Sequence, residues 1–192
     1  MRLPVAAAVL SLVCAAPVQA QDISYNFLDV GYVQVDFDDF SEDADGLLLR
    51  ASFELTEHFF LFGSYNDLSI DVDIFDVDVN EYDFGLGYAW PVGTGSSFYG
   101  KVSYVSAEAD TFGISVDDDG YGAALGLRTR PADNLELEAY VDYVDLKDSG
   151  DETSIGLAGL WFLSPQFALG AEAVFGDDAT TYGVGLRWHW GN

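Results

Sequence analysis

The chain has 192 residues, of which 33 are acidic and 7 basic, for a formal charge of −26, and 15% of it is aromatic. Such a charge repels nucleic acid and anionic lipid headgroups and so argues against both as partners. The aromatic content excludes a disordered acidic chain.

Residues 1–20 read as a cleaved signal peptide, with Arg2 as the positive n-region, an apolar core from Val5 to Val13, and Val18-Gln19-Ala20 as the cleavage site. One domain is then expected over 21–192, exported through the general secretory pathway. Cys14, the single cysteine, lies in the removed segment, where bulky Val13 disfavours a lipid anchor, so no disulfide, thiol nucleophile or Cys-based metal site is expected. The mature chain keeps 33 acidic against 6 basic residues, a charge of −27, because Arg2 is the only charged residue lost. After residue 20 no apolar run approaches the roughly 18 residues of a transmembrane helix.

From there a period of two dominates, which puts successive side chains on opposite faces of a β-strand. About ten strands are predicted. The first, 23–36, and the third, 59–70, carry apolar residues on both faces. The second, 46–56, alternates Leu47, Leu49, Ala51, Phe53 and Leu55 with Arg50, Ser52 and Glu54. The fourth, 79–90, sets Tyr82, Phe84, Leu86, Tyr88 and Trp90 against Glu81, Asp83, Gly85 and Gly87. The fifth, 97–108, has Phe98, Val102 and Tyr104 opposite Lys101. The sixth, 120–130, opposes Tyr121, Ala123, Leu125 and Leu127 to Gly122, Gly126 and Arg128. The seventh, 134–146, opposes Leu135, Leu137, Ala139, Val141 and Tyr143 to Glu136, Glu138 and Asp142. The eighth, 153–163, puts Ile155, Leu157 and Trp161 on one face. The ninth, 166–176, sets Phe167, Leu169, Ala171, Ala173 and Phe175 against Glu172. The tenth ends the chain with Tyr182, Val184, Leu186, Trp188 and Trp190 between Gly183, Gly185, Arg187 and His189.

The connections alternate between short turns (56–58, 91–96, 131–134, 164–166) and longer acidic segments (37–45, 71–78, 109–119, 147–152), with a short acidic tip at 176–179. Trp90, Trp161, Trp188 and Trp190 fall at the short-turn or C-terminal end. Tyr82, Tyr104, Tyr121, Tyr143 and Tyr182 fall beside the acidic segments. Two belts of amphipathic rings fit two membrane interfaces. An apolar face towards lipid and a polar face inward make an all-β, closed antiparallel transmembrane barrel the predicted fold, since only a closed barrel crosses a bilayer with strands. A soluble β-sandwich or lipocalin-like barrel fits less well, because neither needs outward aromatic belts.

On the segments "ISYNFLDVGYVQVD", "NEYDFGLGYAW" and "TYGVGLRWHW", the mature chain resembles the small outer-membrane β-barrel proteins of Gram-negative bacteria, a superfamily with OmpA- and OmpX-like and porin-like members. The resemblance implies outer-membrane localisation, lipid and lipopolysaccharide around the barrel, and the barrel-assembly machinery as a partner during biogenesis. Members commonly end on an aromatic residue, whereas here Gly191 and Asn192 follow Trp190. Eight strands are the common small size, against the ten counted from the pattern.

No enzyme is predicted. Barrel proteases and lipases use a histidine base towards the outer side, and His58 and His189 both fall at the predicted periplasmic end. No cofactor is expected. Arg50, Glu54, Glu81, Asp83, Lys101, Arg128, Glu136, Glu138, Asp142, Glu172 and Arg187 are expected to project inward as a salt-bridged network. The inward glycines would make room for the Arg and Glu side chains or leave a thread of water, so a structural plug and a narrow cation-preferring pore both stand. The acidic segments 36–45 and 71–78 lack the order of a calcium-binding EF-hand loop and fit a solvated surface or loosely bound divalent ions, and the alternation of Val or Ile with Asp in 71–78 also fits an extension of strands three and four above the membrane. Gly120-Tyr121-Gly122 with Gly126 mimics a dinucleotide fingerprint but opens a strand rather than a helix. The expected role is structural or surface-interacting, by a monomer with acidic loops outside. An outer-leaflet hydrolase is the remote alternative.

Overall fold

Each alternating segment forms a strand: β1 (Phe27–Phe37), β2 (Ala44–Glu54), β3 (Phe59–Val72), β4 (Phe75–Pro91), β5 (Ser96–Thr111), β6 (Ile114–Ala132), β7 (Leu135–Leu146), β8 (Gly150–Phe162), β9 (Phe167–Phe175) and β10 (Ala179–His189). The computed structural model describes residues 23–38, 43–72, 75–111 and 114–191, so the predicted signal peptide and the centres of the first three acidic segments lie outside the described residues. Every strand pairs antiparallel with its sequence neighbours, and β1 pairs with β10 from Phe27↔His189 to Phe37↔Ala179. The sheet is therefore a closed ten-stranded barrel, and the choice between eight and ten strands falls on ten. Closure satisfies the main-chain groups at what would otherwise be two open edges.

Register resolves the two strands whose pattern was ambiguous. In β1, Phe27, Asp29, Gly31 and Val33 lie opposite His189, Arg187, Gly185 and Gly183 on the lumen face. In β3, Phe59, Leu61 and Tyr65 face outward with Tyr88, Leu86 and Tyr82, which leaves Phe60 and Phe62 inside. Apolar residues occur on both faces because this lumen is filled with rings as well as charges.

The first strand begins later than expected. Ile23 to Asn26 stay out of the ladder, because Glu54 takes their polar groups: Tyr25 N donates to Glu54 Oε1 at 2.6 Å, Asn26 Nδ2 donates to Oε2 at 2.9 Å, and Glu54 N donates to Asn26 Oδ1 at 2.9 Å. The opposite correction applies to 109–119, expected as a loop. There β5 and β6 continue pairing from Ser106↔Asp119 to Thr111↔Ile114. Acidic side chains do not interrupt a ladder whose two faces are both in water. β3 and β4 pair out to Val72↔Phe75, so the alternating 71–78 segment extends these two strands, as its pattern allows.

Strand lengths divide the barrel. β9 has 9 residues and β1 and β2 have 11, about what a tilted transmembrane strand requires. β4, β5 and β6 have 17, 16 and 19, so their excess projects beyond the membrane on the acidic side. The short-turn end is tight: in the β4–β5 turn Gly93 and Gly95 hold positive φ angles of 76° and 72°, open to glycine at little cost.

Candidate functional site: a filled lumen and an acidic outer wall

The outer surface of the barrel exposes Val30, Leu49, Phe84, Val102, Leu125 and Val184 among many apolar side chains, a continuous belt of a kind that soluble proteins do not expose. Towards the short-turn end Trp90, Trp161 and Trp188 are exposed on this face, and half-buried Trp190 lies 5.5 Å from Trp188. Towards the other end Tyr82, Tyr121, Tyr143 and Tyr182 are exposed, and Tyr104 pairs with Tyr121 across β5 and β6.

Inside, direct cross-strand neighbours and reach across the lumen place the charges. Asp29 and Arg187 are paired residues of β1 and β10 and meet in a two-pronged bridge, Nε to Oδ1 and Nη2 to Oδ2, both at 2.7 Å. Arg128 of β6 donates from Nε at 2.9 Å and Nη2 at 2.6 Å to Glu136 Oε1 on β7, and both side chains are only 2% exposed. Arg50 of β2 reaches Glu172 of β9 at 2.7 Å, across strands that do not touch. Glu172 also accepts from Tyr140 Oη at 2.7 Å, and Glu138 accepts from Tyr99 Oη at 2.5 Å. Asp83 accepts from Ser64, and Glu54 holds the N-terminal segment. Glu81, Lys101 and Asp142 share the lumen face without an ion pair of their own among the described residues. Asp29 was missed in the sequence because β1 showed no clean alternation.

Four of the cations sit over aromatic rings. The Arg187 guanidinium lies 3.8 Å from the Phe27 centroid, Arg130 lies 3.8 Å from Phe162, Arg128 lies 4.6 Å from Tyr25, and the Lys101 ammonium lies 4.8 Å from Phe62. Planar guanidinium groups stack this way while their edges keep hydrogen bonds. The rings form their own cluster. Tyr25 stacks on Phe60 at 4.3 Å and meets Tyr99 edge-on at 6.3 Å, with Ala89 buried beside them. Leu160, Phe162 and Ala168 form a second buried group on the lumen face of β8 and β9.

The inward glycines serve these rings. A Cβ on Gly87 would fall 2.1 Å from Phe60 Cζ, one on Gly126 2.4 Å from Tyr99 Cζ, and one on Gly156 2.0 Å from Tyr140 Cζ. In each case ring and glycine are directly paired across neighbouring strands. The expected Arg and Glu side chains are therefore not what fills these three positions. The order of residues carries no sign of it, because a glycine in a strand shows an available space but not its tenant. Between the layers remain cavities of about 90 Å³ and about 60 Å³, both lined by Arg50 and Glu138, large enough for a few waters.

Outside, β3 to β6 rise as a wall. Beyond Val105↔Gly120, where β7 stops at Gly120↔Leu146, the β5–β6 hairpin adds six rungs, about 20 Å at the rise of a strand. Its residues include Glu108, Asp110, Asp117, Asp118 and Asp119, and Ser115 Oγ donates to Glu108 at 2.6 Å. Towards β7, the 147–149 turn covers Asp118 and Asp119: Lys147 N donates to Asp119 O, and Asp148 and Ser149 N donate to the Asp118 carboxylate. Ser115, Val116 and Asp117 have no ladder partner on that side among the described residues. Lys147, in the 147–149 turn, lies 2.6 Å from Asp119, whose hydrogen bond raises its pKa. No group of three or more His, Cys, Asp or Glu among the described residues is arranged to hold a metal.

A closed antiparallel barrel with an apolar belt, short turns at one end and projecting strands at the other defines an integral barrel of the outer membrane. The chain belongs to the outer membrane protein beta-barrel domain family, whose model it matches over residues 5–190. No curated protein matches it. Among solved structures it is similar to the NanC porin, at 11% identity over 85% of this chain and 100% of that one, with a TM-score of 0.57. It is also similar to Ail, the attachment invasion locus protein of Yersinia pestis, at 18% identity over 85% and 97% with a TM-score of 0.44. The translocator domain of the autotransporter NalP from Neisseria meningitidis matches at 11% identity over 96% and 93%, with a TM-score of 0.49. At 11% identity the likeness to the NanC porin is one of fold alone.

Proposed function

We propose that the protein is a surface-display barrel, anchored by its two aromatic belts, that presents the acidic β3–β6 wall to a positively charged partner outside the cell. The observation that carries this reading is the six-rung extension of β5 and β6, with an unpaired main-chain edge at Ser115 to Asp117 among the described residues. Unpaired strand edges accept an added strand, and carboxylates along the same strand favour one that carries Lys or Arg. The lumen supports a scaffold rather than a channel, since rings and bridged charges occupy it.

The test is binding of a fluorescent extended peptide with alternating Lys and Val to the barrel refolded in vesicles. Saturable, salt-sensitive binding that is lost when residues 108–117 are removed is expected. Equal binding by the shortened barrel refutes the reading.

A further inference from the structure

The short-turn end of the lumen contains a ring that no strand carries. Phe27, Phe60, Tyr99 and Phe162 belong to β1, β3, β5 and β8, and the ladder fixes them. Tyr25 lies before β1, yet it is 5% exposed and sits at the centre of the ring cluster. It stacks on Phe60, lies under the Arg128 guanidinium, and donates from Oη to Ser97 Oγ at 3.1 Å. Its main chain is tied by the bond from Tyr25 N to Glu54, and the next residue by the reciprocal Asn26–Glu54 pair and by Trp190 N donating to Asn26 O at 3.3 Å. Tyr25 also lines the 90 Å³ cavity, and its bond to Ser97, next to the 91–96 turn, puts it at the short-turn end of that cavity.

We infer that Ile23 to Asn26 form a detachable latch, with Tyr25 as the stopper and Glu54 as its catch, and that releasing it opens the lumen to small ions. The geometry separates the latch from the wall of the barrel. Ladder pairing on β1 starts at Phe27, so the four residues can swing out at the loss of one main-chain bond, Trp190 N to Asn26 O, with every rung from Phe27 onward kept. What holds them is the Glu54 carboxylate and amide, the phenol bond to Ser97, the main-chain bond from Trp190, the stacking of Tyr25 on Phe60 and under Arg128, and the packing of Ile23 against the ring cluster. Glu54 is the vulnerable point, because its two oxygens and its amide all engage the segment. Loss of its carboxylate removes the bonds to Tyr25 N and Asn26 Nδ2 together. The 90 Å³ cavity shares Arg50 and Glu138 with the 60 Å³ cavity, which gives the released lumen a polar path to continue along. The inference rests on the closed lumen of the display reading.

The experiment is planar-bilayer recording of the refolded mature chain beside Tyr25→Ala and Glu54→Ala. It is paired with labelling of Ser52→Cys, a buried position that lines the 90 Å³ cavity and takes no part in the latch, in an otherwise cysteine-free mature chain, by a small charged thiol reagent. Folding is verified for each by the band shift on boiling. The expected result is a silent parent, stepwise currents from both latch variants, and labelling at position 52 that appears only when Tyr25→Ala or Glu54→Ala is present. Folded latch variants that stay silent, with the thiol at position 52 as protected as in the parent background, overturn the latch and leave the display reading intact. Currents already present in the parent overturn the latch, since the lumen then conducts with Tyr25 in place, and leave the acidic wall to be judged by the peptide-binding test.

Discussion

The three ring-and-glycine seats allow a sharp test of what fills the lumen. In Gly87→Ala the new Cβ falls 2.1, 2.4 and 2.6 Å from three atoms of the Phe60 ring. That ring cannot simply withdraw, because Tyr25 is stacked on it at 4.3 Å. Overpacking of this kind costs about 1–3 kcal/mol, against the ~0.5–1 kcal/mol by which alanine outdoes glycine inside a strand. A net loss of about 1–2 kcal/mol follows for Gly87→Ala. Gly126→Ala and Gly156→Ala meet Tyr99 and Tyr140 at similar distances, and moving those rings also strains their bonds to Glu138 and Glu172. Gly159 supplies the control: it faces lipid, and its Cβ would find Leu137 Cδ2 at 3.6 Å, an ordinary contact. Gly159→Ala should therefore be neutral or slightly stabilising. The assay is urea unfolding of barrels refolded in vesicles, followed by tryptophan fluorescence. Adding Phe60→Leu should recover part of the Gly87→Ala loss by shrinking the obstacle. If Gly87→Ala is as stable as the parent, or if Phe60→Leu brings no relief, the ring does not occupy that seat.

Glu136→Ala leaves the Arg128 guanidinium buried without its carboxylate, which should cost about 3–5 kcal/mol in the same unfolding assay. The paired replacement Arg128→Met with Glu136→Leu should cost clearly less, and the reverse order would sink the assignment. Leu186→Arg and Leu137→Arg put a charge on the lipid face and should lose roughly 2–4 kcal/mol each, whereas Asp142→Arg, on the lumen face among the acids Glu81, Asp83 and Glu152, should be tolerated far better. Equal folding yields for Arg at 137 and at 142 would reverse the faces. Removing residues 108–117 should leave the urea midpoint and the boiling-dependent band shift unchanged, since those rungs lie outside the bilayer. A collapse in folding yield would show that they belong to the barrel proper.

Much of this architecture is legible in the order of residues. The period of two in β2, β4, β7 and β10 names the lipid face residue by residue, because a strand in a barrel wall meets lipid on one side and a polar lumen on the other. Short turns against acidic segments set the two ends apart, and the tryptophans and tyrosines mark the two interfaces. Counting the alternating segments gives ten strands. Inward charges such as Arg128, Glu136 and Glu172 follow from the same parity.

What no local pattern could decide is which groups meet across the lumen. Arg50 on β2 reaches Glu172 on β9 only because closure of β1 on β10 brings those strands within a side chain's length, while Tyr99 reaches Glu138 over β6 and Tyr140 reaches Glu172 over β8, between strands that are not paired with each other. The orientation of β1 and β3 depends on pairing with β10 and β4, since rings inside the barrel erase the contrast between their faces. The same holds for Tyr25, in a short segment with no periodicity of its own, whose place is set by Glu54, Ser97 and Phe60. Alternation is a property of one strand and its two solvents; the contents of the lumen are a property of ten strands at once.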